Sequence, residues 1–249
     1  MPLVFWFLLY AVLLNLALNR RGFRPSASAP APGGAPVSPP NRVLIVGATG
    51  GTGRELVTQA LARGHAVTAL VRNPAALGVT HPQLRIVQGN ILDYASVAAA
   101  VKGQEAVVSA LGHKRFFSPS RILSGGTGHL LLAMEAEGVE RFVCETALGI
   151  GDSAGRMGLY YTFFVVPVIV PFYFWDKTRQ ERSIAASRLK WTIVRPVALT
   201  NGPARGQYRH GRGIGSFVIT RKISRADVAD FMLNQLADST YVRSAPGVG

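Results

Sequence analysis

From residue 41 onward, short apolar runs alternate with amphipathic stretches. Val43–Val46, Ala66–Val71, Leu84–Gln88, Ala106–Ala110, Arg141–Glu145 and Trp191–Val194 are brief, rich in β-branched residues, and predict strands. Between and after them, Arg54–Arg63, Ser96–Val101, Ile122–Glu137 and Lys177–Ser187 predict helices, and a closing helix is expected over Arg225–Ala237. Strands alternating with helices at this spacing imply an α/β fold, a doubly wound parallel sheet with helices on both faces, in one domain. There is no internal repeat beyond the βα unit itself.

The first strand-to-helix connection carries the most chemistry. Gly47-Ala48-Thr49-Gly50-Gly51-Thr52-Gly53 follows Val43–Val46 directly and opens the first helix. Glycines there let bare backbone amides approach a ligand. The unpaired N–H groups of the first turn and the positive end of the helix dipole then bind a pyrophosphate. With a second strand at the right distance, the context is that of a Rossmann-like dinucleotide site, and Gly47, Thr49, Gly50, Gly51, Thr52 and Gly53 are its expected cofactor contacts. At the end of the second strand an NAD enzyme usually presents Asp or Glu to the ribose hydroxyls. This chain has Arg72 there. A guanidinium suits a 2′-phosphate, so NADP(H) is the expected cofactor. A solvent-facing arginine at a strand end is the plainer alternative.

The amino-terminal part changes the picture. Met1 to Leu18 carries no charge, and eighteen helical residues would reach roughly 27 Å, about a bilayer core. Arg20, Arg21 and Arg24 follow at once and would hold that side in the cytoplasm. Residues 1–19 are therefore expected to be a transmembrane anchor, residues 20–41 a Pro/Ala/Gly-rich linker, and residues 42–249 the folded domain, giving a single-pass membrane protein with a cytoplasmic domain. A cleaved signal peptide is the competing reading, since Ala27-Ser28-Ala29 offers a small-residue pattern; the missing basic n-region opposes it. Met157–Trp175 is a second stretch, nineteen residues without a charge, interrupted by Pro167 and Pro171. A span there would separate Trp191–Val194 from the strands it should pair with, so an apolar lid or an insertion touching the membrane surface is expected.

The formal net charge of +14 points to anionic partners. Nucleic acid is not expected, because no recognition module or basic helix with interleaved aromatics is present. The loop Ala204–Lys222 holds six basic residues, counting His210, and no acidic one; it suits a flap over an anionic ligand or contact with an anionic leaflet. The single cysteine, Cys144, lies in an apolar strand and excludes an intramolecular disulfide. His113, His129 and His210 show no metal-ligand spacing and read as structural or surface residues.

Gly47–Gly53, Leu70-Val71-Arg72-Asn73, Gly89-Asn90-Ile91-Leu92-Asp93, Ala110-Leu111-Gly112, Arg195-Pro196 and Ile223–Ala229 together resemble the atypical short-chain dehydrogenases/reductases. Within that superfamily the chain is most similar to the NAD(P)H-binding, NmrA-like branch that includes flavin reductase/biliverdin-IXβ reductase, over nearly everything past the linker. The resemblance implies that Asn90 and Ile91 lie against the adenine, with Asn standing where Asp is common. It also brings Leu111 and Gly112 beside the cofactor. Lys114 and Arg115 follow, to meet a cofactor phosphate or an acidic substrate, or else to form a solvated basic turn. Members of the superfamily with full catalytic sets use Ser, Tyr and Lys. Here Thr146 stands where the serine is expected, and Tyr173 and Lys177 have the Tyr-x-x-x-Lys spacing that shares a helix face. The same tyrosine also belongs to an aromatic run, and the NmrA-like branch generally lacks it. The related reductase's substrate histidine has no counterpart at Arg195-Pro196-Val197-Ala198. The implied activity is hydride transfer from NADP(H) to a small planar or lipophilic acceptor such as a flavin, a quinone or a tetrapyrrole-like compound. The rivals are a non-catalytic NAD(P)-binding sensor of NmrA type and a Tyr-x-x-x-Lys dehydrogenase or epimerase acting on a membrane-derived substrate. The sequence leaves the oligomeric state open.

Overall fold

The computed structural model describes Trp6, Leu9, Leu13 and residues 38–249 apart from Lys114 and Phe117. Most of the anchor expected over residues 1–19, most of the linker and Lys114 thus lie outside the described residues. Among the described residues no helix is long and apolar enough to cross a membrane.

Five strands and three helices build the amino-terminal part: β1 (Arg42–Val46), α1 (Gly51–Ala62), β2 (Ala66–Val71), β3 (Leu84–Gln88), α2 (Tyr94–Val101), β4 (Ala106–Ser109), α3 (Ile122–Glu137) and β5 (Arg141–Glu145). After them come α4 (Pro171–Ala186), β6 (Lys190–Pro196), β7 (Ala198–Thr200), β8 (His210–Gly211), β9 (Lys222–Ser224), α5 (Arg225–Asn234) and β10 (Gly247–Val248). The main sheet runs in the order β3-β2-β1-β4-β5-β6-β10-β8, parallel except for the β10–β8 edge. β7 and β9 form a separate parallel pair.

Successive residues of each strand face opposite sides, so the sheet divides the apolar residues into two cores. Val43 and Ile45 pack with Leu56, Val57 and Ala60 of α1 and with Val228 and Met232 of α5. Leu44 and Val46 join Val97 of α2, Leu123, Leu130 and Met134 of α3, and Ile184 of α4 on the other face. Caps fix the helices on these faces. The Asp93 carboxylate accepts from the amides of Ala95 and Ser96 at the start of α2, and Ser224 Oγ accepts from Asp227 N at the start of α5. The α3 start is capped from α4, where the buried Asp176 accepts from Leu123 N at 2.9 Å and Ser124 N at 3.2 Å.

Met157–Trp175 is not one element. A wide-turn helix, Tyr161–Ile169, closes with the amide of Val170 bonded to Val165 O, five residues back, and contains Pro167. The extra residue per turn accommodates a proline that has no amide to donate. The chain then breaks at Val170 and restarts as α4.

Candidate active site

β1 lies between β2 and β4, so the connections leaving it and β4 run in opposite directions and open a crevice at the carboxyl ends of these strands. The glycine loop lines this crevice. Gly47 takes φ +80, and a Cβ there would stand 2.4 Å from Ala110 O. The turn closes through Gly50 N to Gly47 O at 2.9 Å. A Cβ on Gly53 would lie 2.0 Å from Gly47 O, so helix and strand touch backbone to backbone. The α1 start has no side-chain cap, which leaves its first amides directed at the crevice. This cradle, exposed at Thr49, Gly50 and Gly51, fits a pyrophosphate. Sequence reasoning missed Arg225. It comes from the first residue of α5, and its Cδ stands 2.4 Å from where a Gly51 Cβ would be, with Nη1 donating to Asn201 Oδ1 at 2.5 Å. A guanidinium therefore flanks the loop from the far end of the sequence.

At the end of β2, Arg72 is exposed. Arg54, on the first turn of α1, donates to Ala76 O at 2.9 Å, so it is tied to the turn that follows Arg72. Two guanidinium-bearing residues therefore flank the β2 end, one of which the pattern of strand ends did not single out. Asn90 Oδ1 accepts from Leu92 N at 3.1 Å and holds the turn after β3. Ile91 is buried beneath α3, where a Cβ on Gly126 would come within 2.6 Å of it. Leu111 is nearly buried and Gly112 exposed at the end of β4.

Tyr173 and Lys177 come together on one face of α4. Lys177 Nζ is 5.2 Å from the Tyr173 ring centroid, and a Cβ on Gly112 would stand 3.5 Å from the Tyr173 hydroxyl. The tyrosine thus reaches the β4 end, where the crevice opens. Asp176, between the two, is the α3 cap, and this fixes the rotation of α4 about its axis. Lys177 is 3% exposed; burial opposes its charge, but Tyr173 and Glu145 beside it hold its ammonium above the usual lysine range. The neighbouring Glu145 is pushed up by burial, against the pull of Lys177, the Thr52 hydroxyl and Arg225. Thr52 Oγ1 donates to Glu145 Oε1 at 3.2 Å, joining the glycine loop to the end of β5.

His113, expected as a structural or surface histidine, lies beside Tyr173. It is half-buried and packs edge-on against Tyr173, with ring centroids 4.9 Å apart. Its Nδ1 accepts from Arg115 N at 3.1 Å, which leaves the proton on Nε2, a buried atom without a hydrogen-bond partner among the described residues. Burial lowers its pKa, with Lys177 and Arg115 adding to the effect and Asp176 opposing it, so the ring is neutral near pH 7. Nothing in the local sequence marked this residue. Its place depends on α4 crossing the end of β4.

Thr146 is turned toward a different partner. Its hydroxyl donates to Glu181 Oε1 at 2.6 Å. Glu181 is also gripped by Arg195, through Nε at 3.0 Å and Nη2 at 2.6 Å, while Nη1 reaches Asp152 at 2.5 Å. Arg195 is 1% exposed and its charge is stabilised by both carboxylates against burial. With its proton committed to Glu181, Thr146 Oγ1 can only accept a further hydrogen bond. A cleft of about 850 Å³, lined by Pro39, Glu105, Arg141 and Leu236 among others, lies at the opposite, amino edge of the strands. Its lining includes neither the glycine loop nor His113, Thr146, Tyr173 or Lys177.

Fold and crevice together define a dinucleotide-binding protein of Rossmann type. Residues 47–239 match the NAD(P)H-binding family, and the chain belongs to that family. It is similar to an uncharacterized chloroplastic protein of Arabidopsis thaliana, 32% identical over 66% of this chain and 61% of the relative. A 3-diazoavenalumate denitrifying reductase from Streptomyces is 33% identical over 68% of this chain and 60% of that protein. The chain thus spans about three fifths of the length of both relatives. Among solved structures, a short-chain dehydrogenase/reductase from Veillonella parvula in complex with NADP superposes with a TM-score of 0.69 at 19% identity, over 84% of this chain and 94% of that one. That likeness concerns the fold.

Proposed function

We propose that the chain is an NADPH-dependent reductase of a planar or lipophilic small molecule, such as a flavin, a quinone or a tetrapyrrole-like compound. The observation that carries the reading is the convergence of Tyr173, Lys177 and the unpartnered His113 Nε2 at Gly112, on the crevice edge above the glycine cradle. Arg72 and Arg54 favour the 2′-phosphate form of the cofactor, and Arg225 with the α1 amides balances the pyrophosphate. A reduced nicotinamide, when bound, supplies the hydride. Lys177, buried and charged, holds the ribose side of the site and keeps the Tyr173 hydroxyl in place. His113 donates from Nε2–H to a carbonyl or ring nitrogen of the acceptor, and Tyr173 and Phe116 offer aromatic faces to a flat ring. Thr146 accepts an amide N–H. The Streptomyces relative is named for reduction of a small organic molecule, in keeping with this class.

Steady-state NADPH oxidation with a panel of flavin, naphthoquinone and linear tetrapyrrole acceptors tests the proposal. Turnover with one of them, lost in His113→Phe while NADPH affinity is retained, supports it. NADPH binding without turnover of any acceptor favours a sensor instead. The juxtaposition of Tyr173 and Lys177 gives the dehydrogenase reading a specific basis, and the Tyr173 variant described below separates the two enzymes.

A further inference from the structure

Two segments far apart in sequence form one apolar surface. Leu159, Tyr160, Phe163 and Phe164 are exposed on and before the wide-turn helix, and Phe217, Val218 and Ile219 are exposed beside them, the last two at 66% and 68%. The segments are interlocked: Gly158 N donates to Ser216 O at 2.8 Å, Leu159 N to Val218 O at 3.2 Å, and Thr220 Oγ1 to Met157 O at 3.0 Å. Gly158, at φ +85, has no room for a side chain, because a Cβ would stand 2.7 Å from the backbone of Ile219 and Thr220. The surface is therefore built rather than a loose loop. Its rim is basic. Arg156 stacks on Phe217 at 5.3 Å, Arg212 is exposed near it, and Arg221 and Lys222 follow Ile219 directly. From Ala154 to Trp175 and from Ala204 to Lys222 there is no Asp or Glu.

We infer that this surface docks on an anionic lipid leaflet, with Phe217-Val218-Ile219 and the Leu159–Phe164 side chains entering the headgroup region and the arginines on lipid phosphates. Charge complementarity selects the bilayer. A second copy seated on the same face by a two-fold axis would set arginine against arginine. The rest of the chain allows it. The domain is entered at the amino edge of β1, where Asn41 N meets Glu105, whereas this surface follows the carboxyl ends of β5 and β6. A Pro-rich stretch with the length of residues 20–41 has a reach of at most roughly 70 Å at about 3.1 Å per residue, against a domain radius of gyration of about 17 Å. The uncharged Met1–Leu18 and this surface can therefore engage one leaflet together, and the first contact raises the effective concentration of the second. The surface adjoins the site: Met157 and Phe174 both pack at Gly149, in the loop after Thr146. A membrane-dissolved acceptor would then reach Tyr173 without crossing bulk water.

The test uses the full chain reconstituted into phosphatidylcholine vesicles with or without phosphatidylglycerol. Cys144 is wholly buried and its thiol is pushed up to about 12 by that burial, so an environment-sensitive maleimide dye reports on an introduced cysteine. Dye at Val218→Cys is expected to be quenched by doxyl-labelled lipid in the phosphatidylglycerol vesicles, and dye at Leu132→Cys, an exposed position on α3, is not. Adding Arg212→Glu and Arg221→Glu should cut the quenching at 218 by about tenfold. The inference is overturned if the dye at 218 stays solvent-exposed on these vesicles, or if positions 218 and 132 are quenched alike. Self-quenching at 218 between copies in detergent, without lipid quenching, overturns it in favour of a dimer face. NADPH binding in the same samples reports separately on the enzyme reading.

Discussion

Around Gly47–Gly53 the site is shaped by backbone against backbone, whereas around Tyr173 it is shaped by side chains that meet from α4, β4 and β5. In the first region, Gly47 touches Ala110 and Gly53 touches Gly47, and no rotamer can relieve a misfit. In the second, Asp176, Glu145, Glu181 and Arg195 are buried ionisable groups whose partners come from other elements. The first is rigid and tolerates no added carbon. The second tolerates changes of shape but not the loss of one member of a pair, because the partner's charge is then left without compensation.

The sharpest break of this comparison is Gly53→Val. NADPH affinity should fall by about a hundredfold or more, since a side chain cannot occupy the gap without separating α1 from β1. Titration of nucleotide fluorescence in a variant shown to be folded by circular dichroism checks it, and near-normal affinity would refute the backbone account. Arg195→Met should cost about 3–5 kcal/mol, a fall in Tm of roughly 10 °C, by stranding Glu181. The double variant Arg195→Met/Glu181→Leu should recover most of it, as calorimetry would show.

Arg72→Glu should weaken NADPH by about 2–4 kcal/mol while sparing NADH, because a charge-assisted contact becomes a repulsion. Equal loss for both nucleotides would place Arg72 away from the 2′-phosphate. Tyr173→Phe should lower turnover by less than about tenfold, since a reduced flavin or quinone can take its proton from water. A loss of about a thousandfold with binding intact would make the chain a Tyr-x-x-x-Lys dehydrogenase. The smallest effect concerns pH. His113 has a lowered pKa, so the unfolded chain takes up its proton first as pH falls through about 6.5, and folded stability drops there. Thermal melts at about pH 7.5 and about pH 5.5 should show a smaller drop in His113→Asn than in the parent.

The same contrast explains what could be read in advance. β2, β3, α3 and β5 match the sequence pattern end to end, because each is long enough to show its period and its punctuation. β7 to β10 were not foreseen: two- and three-residue strands have no period, and β10 is a strand only by pairing with β6 and β8, each more than thirty residues away. The glycine loop was legible because its constraint is local. Arg225, Arg54, Glu145 and His113 were not, because each is brought to the crevice by topology. Thr146 was singled out by its position after β5, but its hydrogen bond to Glu181 depends on α4 packing over β5 and β6.

Cys144 sits at the end of β5 with no exposed surface, and Gln180 Nε2 donates to its sulfur at 3.5 Å. A thiol titrating near 12 is ionised only to about one part in a hundred thousand at neutral pH. Reduced flavins and quinones hand electrons on to dioxygen and release peroxide at the place where they are made. An enzyme forming them accumulates sulfenic and sulfinic acids wherever a thiolate is within reach. This chain has one sulfhydryl, buried within its own sheet, so peroxide exposures that modify proteins with accessible cysteines should leave it unoxidised.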